Sequence, residues 1–292
     1  MRPGAQAWLL GASFSLCACG GEPPGYDDPA AALYDPIADV CLVSNVHGAP
    51  LDRDGNGYLA RVHADGSMQR HWLRGGANGV TLHAPKGMAF AGDLLWVADI
   101  DVLRAFDRAT GAPRGEVPIP GATSLEGVSA GPDGVVYCTD SGLDAAGTPT
   151  GTDAIWRLPA DRWPPPEPPR PLLRGADLGQ PRGLVARAAS VYVVSWRDGQ
   201  FFSVDGKGRR TDLARAPATQ LDGLVRVEDA AGRGAWYATS RAAGCVYRFD
   251  AGGGCAPLPG SFEQPGGCGY DDRRHQLLVP LCRSDGLQRI AL

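Results

Sequence analysis

Apolar residues along this chain come in short runs, and the runs arrive in pairs. The first of each pair is nearly continuous, as in Leu94-Leu95-Trp96-Val97, Val135-Val136-Tyr137, Val191-Tyr192-Val193-Val194, Trp236-Tyr237 and Leu277-Leu278-Val279. The second follows after a polar turn and mostly alternates apolar with polar: Val102-Leu103-Arg104-Ala105-Phe106, Ile155-Trp156-Arg157-Leu158, Phe201-Phe202-Ser203-Val204, Val246-Tyr247-Arg248-Phe249 and Leu287-Gln288-Arg289-Ile290. Alternation at a period of two marks a strand with one buried face, because successive side chains leave a sheet on opposite sides. Helical periodicity of useful length is missing after the N-terminus, which removes an α/β fold with a parallel sheet. The chain is predicted to be all-β.

A four-residue phrase stands ahead of each pair: Pro85-Lys86-Gly87-Met88, Leu125-Glu126-Gly127-Val128, Pro181-Arg182-Gly183-Leu184, Leu221-Asp222-Gly223-Leu224 and Pro265-Gly266-Gly267-Cys268. Its glycines, at 87, 127, 183, 223 and 267, are 40, 56, 40 and 44 residues apart, the period of propeller blades. Pro29-Ala30-Ala31-Ala32, with Val40-Cys41-Leu42-Val43-Ser44-Asn45 and Tyr58-Leu59-Ala60-Arg61-Val62 behind it, reads as a divergent sixth copy without its glycine. A six-bladed β-propeller over residues 29–292 is therefore expected, folding as one domain. A lone twisted sheet cannot bury both faces, whereas blades stacked around an axis cover one another. The 56-residue step holds Trp163-Pro164-Pro165-Pro166-Glu167-Pro168-Pro169, expected as an extended surface loop of polyproline geometry, with a ligand for a proline-recognising partner as the alternative. Leu292 falls at the third strand of blade six, and Gly20 to Asp28 is a poor source of a fourth, so the closure of the ring stays open.

Charge and cysteine usage narrow the setting. A net charge of -4 offers no basic field for phosphates, which argues against nucleic acid. Arg2, the apolar stretch Ala5 to Leu16 and the small residues before Cys19 predict an export signal over 1–18, too short to span a bilayer. Leu16-Cys17-Ala18-Cys19 resembles a bacterial lipobox, which implies a lipid on Cys19, a tether over 19–28, and an outer-membrane protein whose propeller lies in the periplasm or on the cell surface. Six cysteines remain, Cys41, Cys138, Cys245, Cys255, Cys268 and Cys282, an even number that suits disulfides in an exported chain. Proximity in sequence favours Cys245 with Cys255 and Cys268 with Cys282, leaving Cys41 with Cys138. CxxC and CxxH spacings for zinc are missing.

The residue before each repeat glycine should lie at the mouth of the central channel, where the chain enters a blade. Those residues are Ala30, Lys86, Glu126, Arg182, Asp222 and Gly266. Four are charged, and their signs alternate around the ring. They read either as the floor of a binding site, with Lys86 and Arg182 for ligand oxygens and Glu126 and Asp222 for hydroxyls, or as a plug of neighbouring ion pairs. Ala30 and Gly266 leave a gap that favours the pocket.

Val43-Ser44-Asn45, Asp54-Gly55-Asn56-Gly57, Ala84-Pro85-Lys86-Gly87-Met88, Trp96-Val97-Ala98-Asp99, Val136-Tyr137-Cys138-Thr139-Asp140, Pro181-Arg182-Gly183-Leu184 and Leu221-Asp222-Gly223-Leu224 together resemble the senescence-marker-protein, gluconolactonase and luciferin-regenerating family of six-bladed propellers. The resemblance covers nearly all of 29–292 and implies a sugar-lactone hydrolase with a divalent metal held by a glutamate, an asparagine and an aspartate. Ala30 stands at the glutamate position, Arg182 at the asparagine and Asp222 at the aspartate, while Glu126 replaces a substrate-side asparagine. A guanidinium opposes a bound cation, so no metal or other cofactor is expected. Asp52-Arg53-Asp54-Gly55-Asn56-Gly57 imitates the start of a calcium loop, but its twelfth position is His63; a hairpin turn is expected there, with calcium the alternative. A GxSxG elbow is absent, and Asp99 and Asp140 are expected to satisfy turn backbone. These features imply an anchored, noncatalytic propeller that binds a small polar molecule or an envelope protein, with a divergent lactone hydrolase as the alternative.

Overall fold

The computed structural model describes residues 25–229, 232–250 and 252–292, so the signal segment, Cys19 and the start of the tether lie outside the described residues. Each apolar run is a strand, and the strands form antiparallel meanders in sequence order, giving six radial blades. The innermost strands are Pro29–Asp35, Pro85–Ala91, Leu125–Ala130, Pro181–Ala186, Leu221–Glu228 and Gly269–Asp271. Among the described residues, blades one to five have four strands, while blade six has three and ends at Gly286–Ala291. Apolar faces meet between blades: Trp96 packs with Leu125, Val128 and Trp156 between blades two and three, and Phe201 with Trp236 and Phe249 between four and five. Each such side chain removed from water contributes ~1.5–3 kcal/mol.

The repeat glycines are explained by how closely these inner strands approach one another. A Cβ on Gly87 would lie 2.3 Å from the carbonyl oxygen of Glu126, one on Gly127 2.5 Å from that of Arg182, and one on Gly183 2.4 Å from that of Asp222. Neighbouring backbones fill the place where a side chain would be.

The ring closes by the same contact. Gly267 N donates to Ala30 O at 2.7 Å and Ala32 N to Gly267 O at 2.9 Å, bringing the first and last inner strands together. Behind this seam Arg274 clasps Asp39 through both terminal nitrogens at 2.7 and 2.8 Å. The closure uses no strand exchange among the described residues.

Two expectations are corrected. All six described cysteines are free thiols. Cys255 faces Phe249, four residues beyond Cys245 on the adjacent strand, and the Cys282 amide bonds to Gln264, four residues before Cys268. Cys41 and Cys138 belong to blades one and three. Residues 52–57 form part of a long loop, 46–57, between the second and third strands of blade one, rather than a tight hairpin. The proline-rich stretch is a surface loop, as expected, and is fastened at its start where Trp163 packs against Trp96, ring centroids 6.0 Å apart, and against the core between blades two and three.

Candidate functional site

In blades two to five the repeat phrase opens the inner strand, and the strand register slips there, between Pro85 and Met88, Leu125 and Val128, Pro181 and Leu184, and Leu221 and Leu224, whereas in blade six the phrase directly precedes the strand. A bulge of this kind re-aims a side chain, and here the residue before the glycine reaches the channel. Lys86, Glu126, Arg182 and Asp222 are thereby brought together. Lys86 Nζ lies 3.0 Å from Glu126 Oε1, Arg182 Nη1 lies 3.1 Å from Glu126 Oε2, and Arg182 Nη1 lies 3.8 Å from Asp222 Oδ1.

Buried hydroxyls fix the backbone beneath the two cations. Ser44 Oγ donates to Lys86 O at 2.7 Å, and Thr139 Oγ1 donates to Arg182 O at 2.6 Å. Thr239 Oγ1 repeats the contact to Gly266 O at 2.8 Å. Asp99 accepts from the amides of His83 and Ala84, and Asp140 from those of Thr123, Ser124 and Gly142, the turn-holding role expected of them.

A second ring, which sequence patterning does not reveal, surrounds the first. It consists of the residue that follows the second strand of each blade: Val46, Ile100, Ser141, Trp196, Arg241 and Cys282. Three of them serve the charged residue of their own blade. Ser141 Oγ lies 3.3 Å from Glu126 Oε1, the Trp196 ring lies 3.9 Å from the Arg182 guanidinium carbon, and Arg241 Nε donates to Asp222 Oδ2 at 2.7 Å. The only signal in the sequence is positional: each stands directly after a run that ends a second strand, but the six share no residue type.

Above the rings is a cavity of about 310 Å³ with Lys86, Glu126, Arg182, Asp222 and Arg241 among its lining residues. Two long connections between second and third strands reach it, 46–57 in blade one and 141–153 in blade three, whereas the equivalent turns in the other blades are much shorter. Leu51 and Leu143 are the largest apolar side chains these loops contribute, beside Val46, Ala49, Pro50 and Ala145. The second loop also accounts for part of the 56-residue step.

The floor is strongly polarised. Burial alone would push the Glu126 carboxyl up, but Arg182 and Lys86 outweigh it and hold it at about 2. Burial likewise opposes the charge on Arg241, yet Asp222 beside it raises that guanidinium further. Asp28, on the cavity wall, is pushed up by burial, which the cations Arg241 and Lys86 only partly counter. Arg182 Nε is buried without a hydrogen-bond partner, and its guanidinium lies over Trp196.

This donor set does not fit a divalent metal. Ala30 offers no ligand atom, and the guanidinium of Arg182 already occupies the space between Glu126 and Asp222. In the calcium-like loop Asn56 Nδ2 donates to Asp54 Oδ2 at 2.6 Å, and the Gly55 amide donates to His83 Nδ1 at 3.0 Å.

No protein-family model matches the chain, nor does any curated protein. Solved structures match it in fold. An auxiliary nutrient binding protein from Bacteroides thetaiotaomicron aligns with a TM-score of 0.67 at 10% identity, over 91% of this chain and 69% of its own. A gluconolactonase from Xanthomonas campestris gives 0.60 at 20% identity, over 87% and 84%. A calcium-binding regucalcin from Agrobacterium tumefaciens gives 0.59 at 17%, over 88% and 82%. At these identities the likeness is one of fold, and it agrees with the resemblance carried by the sequence motifs.

Proposed function

We propose that the channel-mouth cavity is a metal-free binding site for a small polar ligand, in a noncatalytic propeller exported and held at the outer membrane by a lipid on Cys19. The observation that carries this reading is the unused donor capacity of the floor. The Arg241 guanidinium makes a single hydrogen bond, from Nε, so its two terminal amino groups carry none among the described residues. Such convergent polar groups at the base of a cavity with apolar walls are what small-molecule sites provide. The nutrient-binding propeller among the structural neighbours supports binding as a use of this fold.

Hydrolysis is less well served. A general base needs a free lone pair directed at water, but Glu126 Oε1 already accepts from Lys86, Ser124 and Ser141, and Oε2 from Arg182. Asp222 is engaged by Arg241.

Thermal melting of the full chain against sugars, sugar lactones, amino acids and carboxylic acids tests the reading. A saturable rise in Tm with at least one compound, abolished by filling the cavity with Leu143→Trp, is the expected result. Steady lactone turnover that disappears in Glu126→Gln would instead establish the hydrolase. Calcium, magnesium and zinc are expected to leave Tm unchanged in the same assay; a saturable rise would contradict the metal-free site.

A further inference from the structure

Lys86, Glu126, Arg182, Asp222 and Arg241 form an open chain of alternating charge, and both of its ends are cations. Between those ends lie blades six and one. There the inner ring supplies Gly266 and Ala30, and the second ring supplies Cys282 and Val46, so neither ring places a charge in the gap. The five charges sum to an excess of one positive. A sixth, single negative charge would complete the alternation.

Three further acidic residues, Asp28, Asp52 and Asp144, line the same cavity, and Asp28 is the one that feels both Arg241 and Lys86. Asp28 lies at the seam, where its amide donates to Asp285 Oδ1 of blade six at 2.9 Å, and it lines the cavity. Its carboxylate nevertheless pairs with neither Arg241 nor Lys86, whose ion-pair partners are Asp222 and Glu126. A guest anion would therefore compete with Asp28 for the two cations.

We infer that this guest is a small monocarboxylate with an apolar body, its carboxylate seated between Arg241 and Lys86 and its body against Leu51 and Leu143; this rests on the ligand-binding reading above. A carboxylate matches the planar fork of the free Arg241 terminus. With Asp28, Asp52 and Asp144 also on the lining, a singly charged carboxylate meets less repulsion than a phosphate, which carries about -1.5 to -2 at neutral pH. A cavity of about 310 Å³ is at the small end of ligand sites, which limits the body to a short chain or single ring.

Calorimetry and Tm shifts on the full chain with hexanoate, hexanamide, hexylammonium, acetate and inorganic phosphate test this. Hexanoate should bind saturably, and hexanamide, acetate and phosphate at least tenfold more weakly, the first for lack of charge, the second for lack of a body, the third for excess charge. Hexylammonium should not bind. Arg241→Gln should weaken hexanoate tenfold or more without changing hexanamide, and Asp28→Asn, which removes a competing anion, should tighten it. Should Arg241→Gln fail to fold, Arg241→Lys keeps a partner for Asp222 and loses the fork, with a smaller loss of hexanoate affinity. Equal binding of hexanamide and hexanoate, or hexanoate binding unchanged in both Arg241 variants, overturns the carboxylate while leaving a ligand site. A response to a neutral sugar with none to hexanoate overturns it in the same way; if every compound in both panels is silent, the binding reading falls as well.

Discussion

Glu126→Ala is expected to destabilise the propeller by about 3–5 kcal/mol, the range for removing one partner of a buried ion pair. Glu126 is almost completely buried and is the acceptor shared by Lys86 and Arg182, with Ser124 and Ser141 bonded to the same carboxylate. Without it two cations in blades two and four lose their principal counter-charge. Urea unfolding followed by circular dichroism measures the loss, and a change under about 1 kcal/mol would show that the charged floor contributes little to holding the blades together. The double variant Lys86→Met with Glu126→Leu should lose less, because it removes both charges of one pair and leaves Arg182 beside Asp222.

The same carboxylate predicts the direction of a pH effect. Its pKa in the fold is about 2, below the ordinary glutamate value of 4.5, because Arg182 and Lys86 favour the charged form. A depressed acid stabilises the native state above its unfolded pKa, and that contribution is lost as pH falls through the folded value. Stability of the unsubstituted chain should therefore drop between pH 4.5 and about 2, by an amount on the order of 3 kcal/mol from this group. In Glu126→Ala that part of the slope should vanish.

Gly223→Ala is the second large expectation, at roughly 3 kcal/mol, the upper end of the cost of overpacking. The added Cβ would lie 2.2 Å from the backbone nitrogen of Cys268, and a main-chain atom cannot rotate aside as a side chain can. Blades five and six would have to separate at the axis. Gly206→Ala is the control: its Cβ meets nothing within 4 Å, so stability should change by less than ~0.5 kcal/mol. Equal effects at the two glycines would mean that the repeat phrase is not a close-approach motif.

Much of this is legible in the amino-acid sequence. The phrase around Gly87, Gly127, Gly183 and Gly223 identifies both the blade number and the residue that faces the channel, because the constraint on each glycine is local and repeats with the chain. Arg241 and Trp196 are not legible there, although they touch Asp222 and Arg182. They occupy equivalent places in successive blades but differ in kind from Val46 and Ile100, so repetition does not flag them. Thiol pairing fails for a related reason. Cys268 and Cys282 are close in sequence, yet strand register sets them four residues out of step.

Alternating apolar patterns and a recurring glycine suffice to dictate six stacked sheets, since each sheet must cover its faces and each inner strand must touch the next. Which unlike residues meet across the axis, and the gap left between Lys86 and Arg241, were settled only by closing the ring. That step joins Ala30 to Gly267 across nearly the whole chain, a contact for which neither local propensity nor periodicity carries a signal.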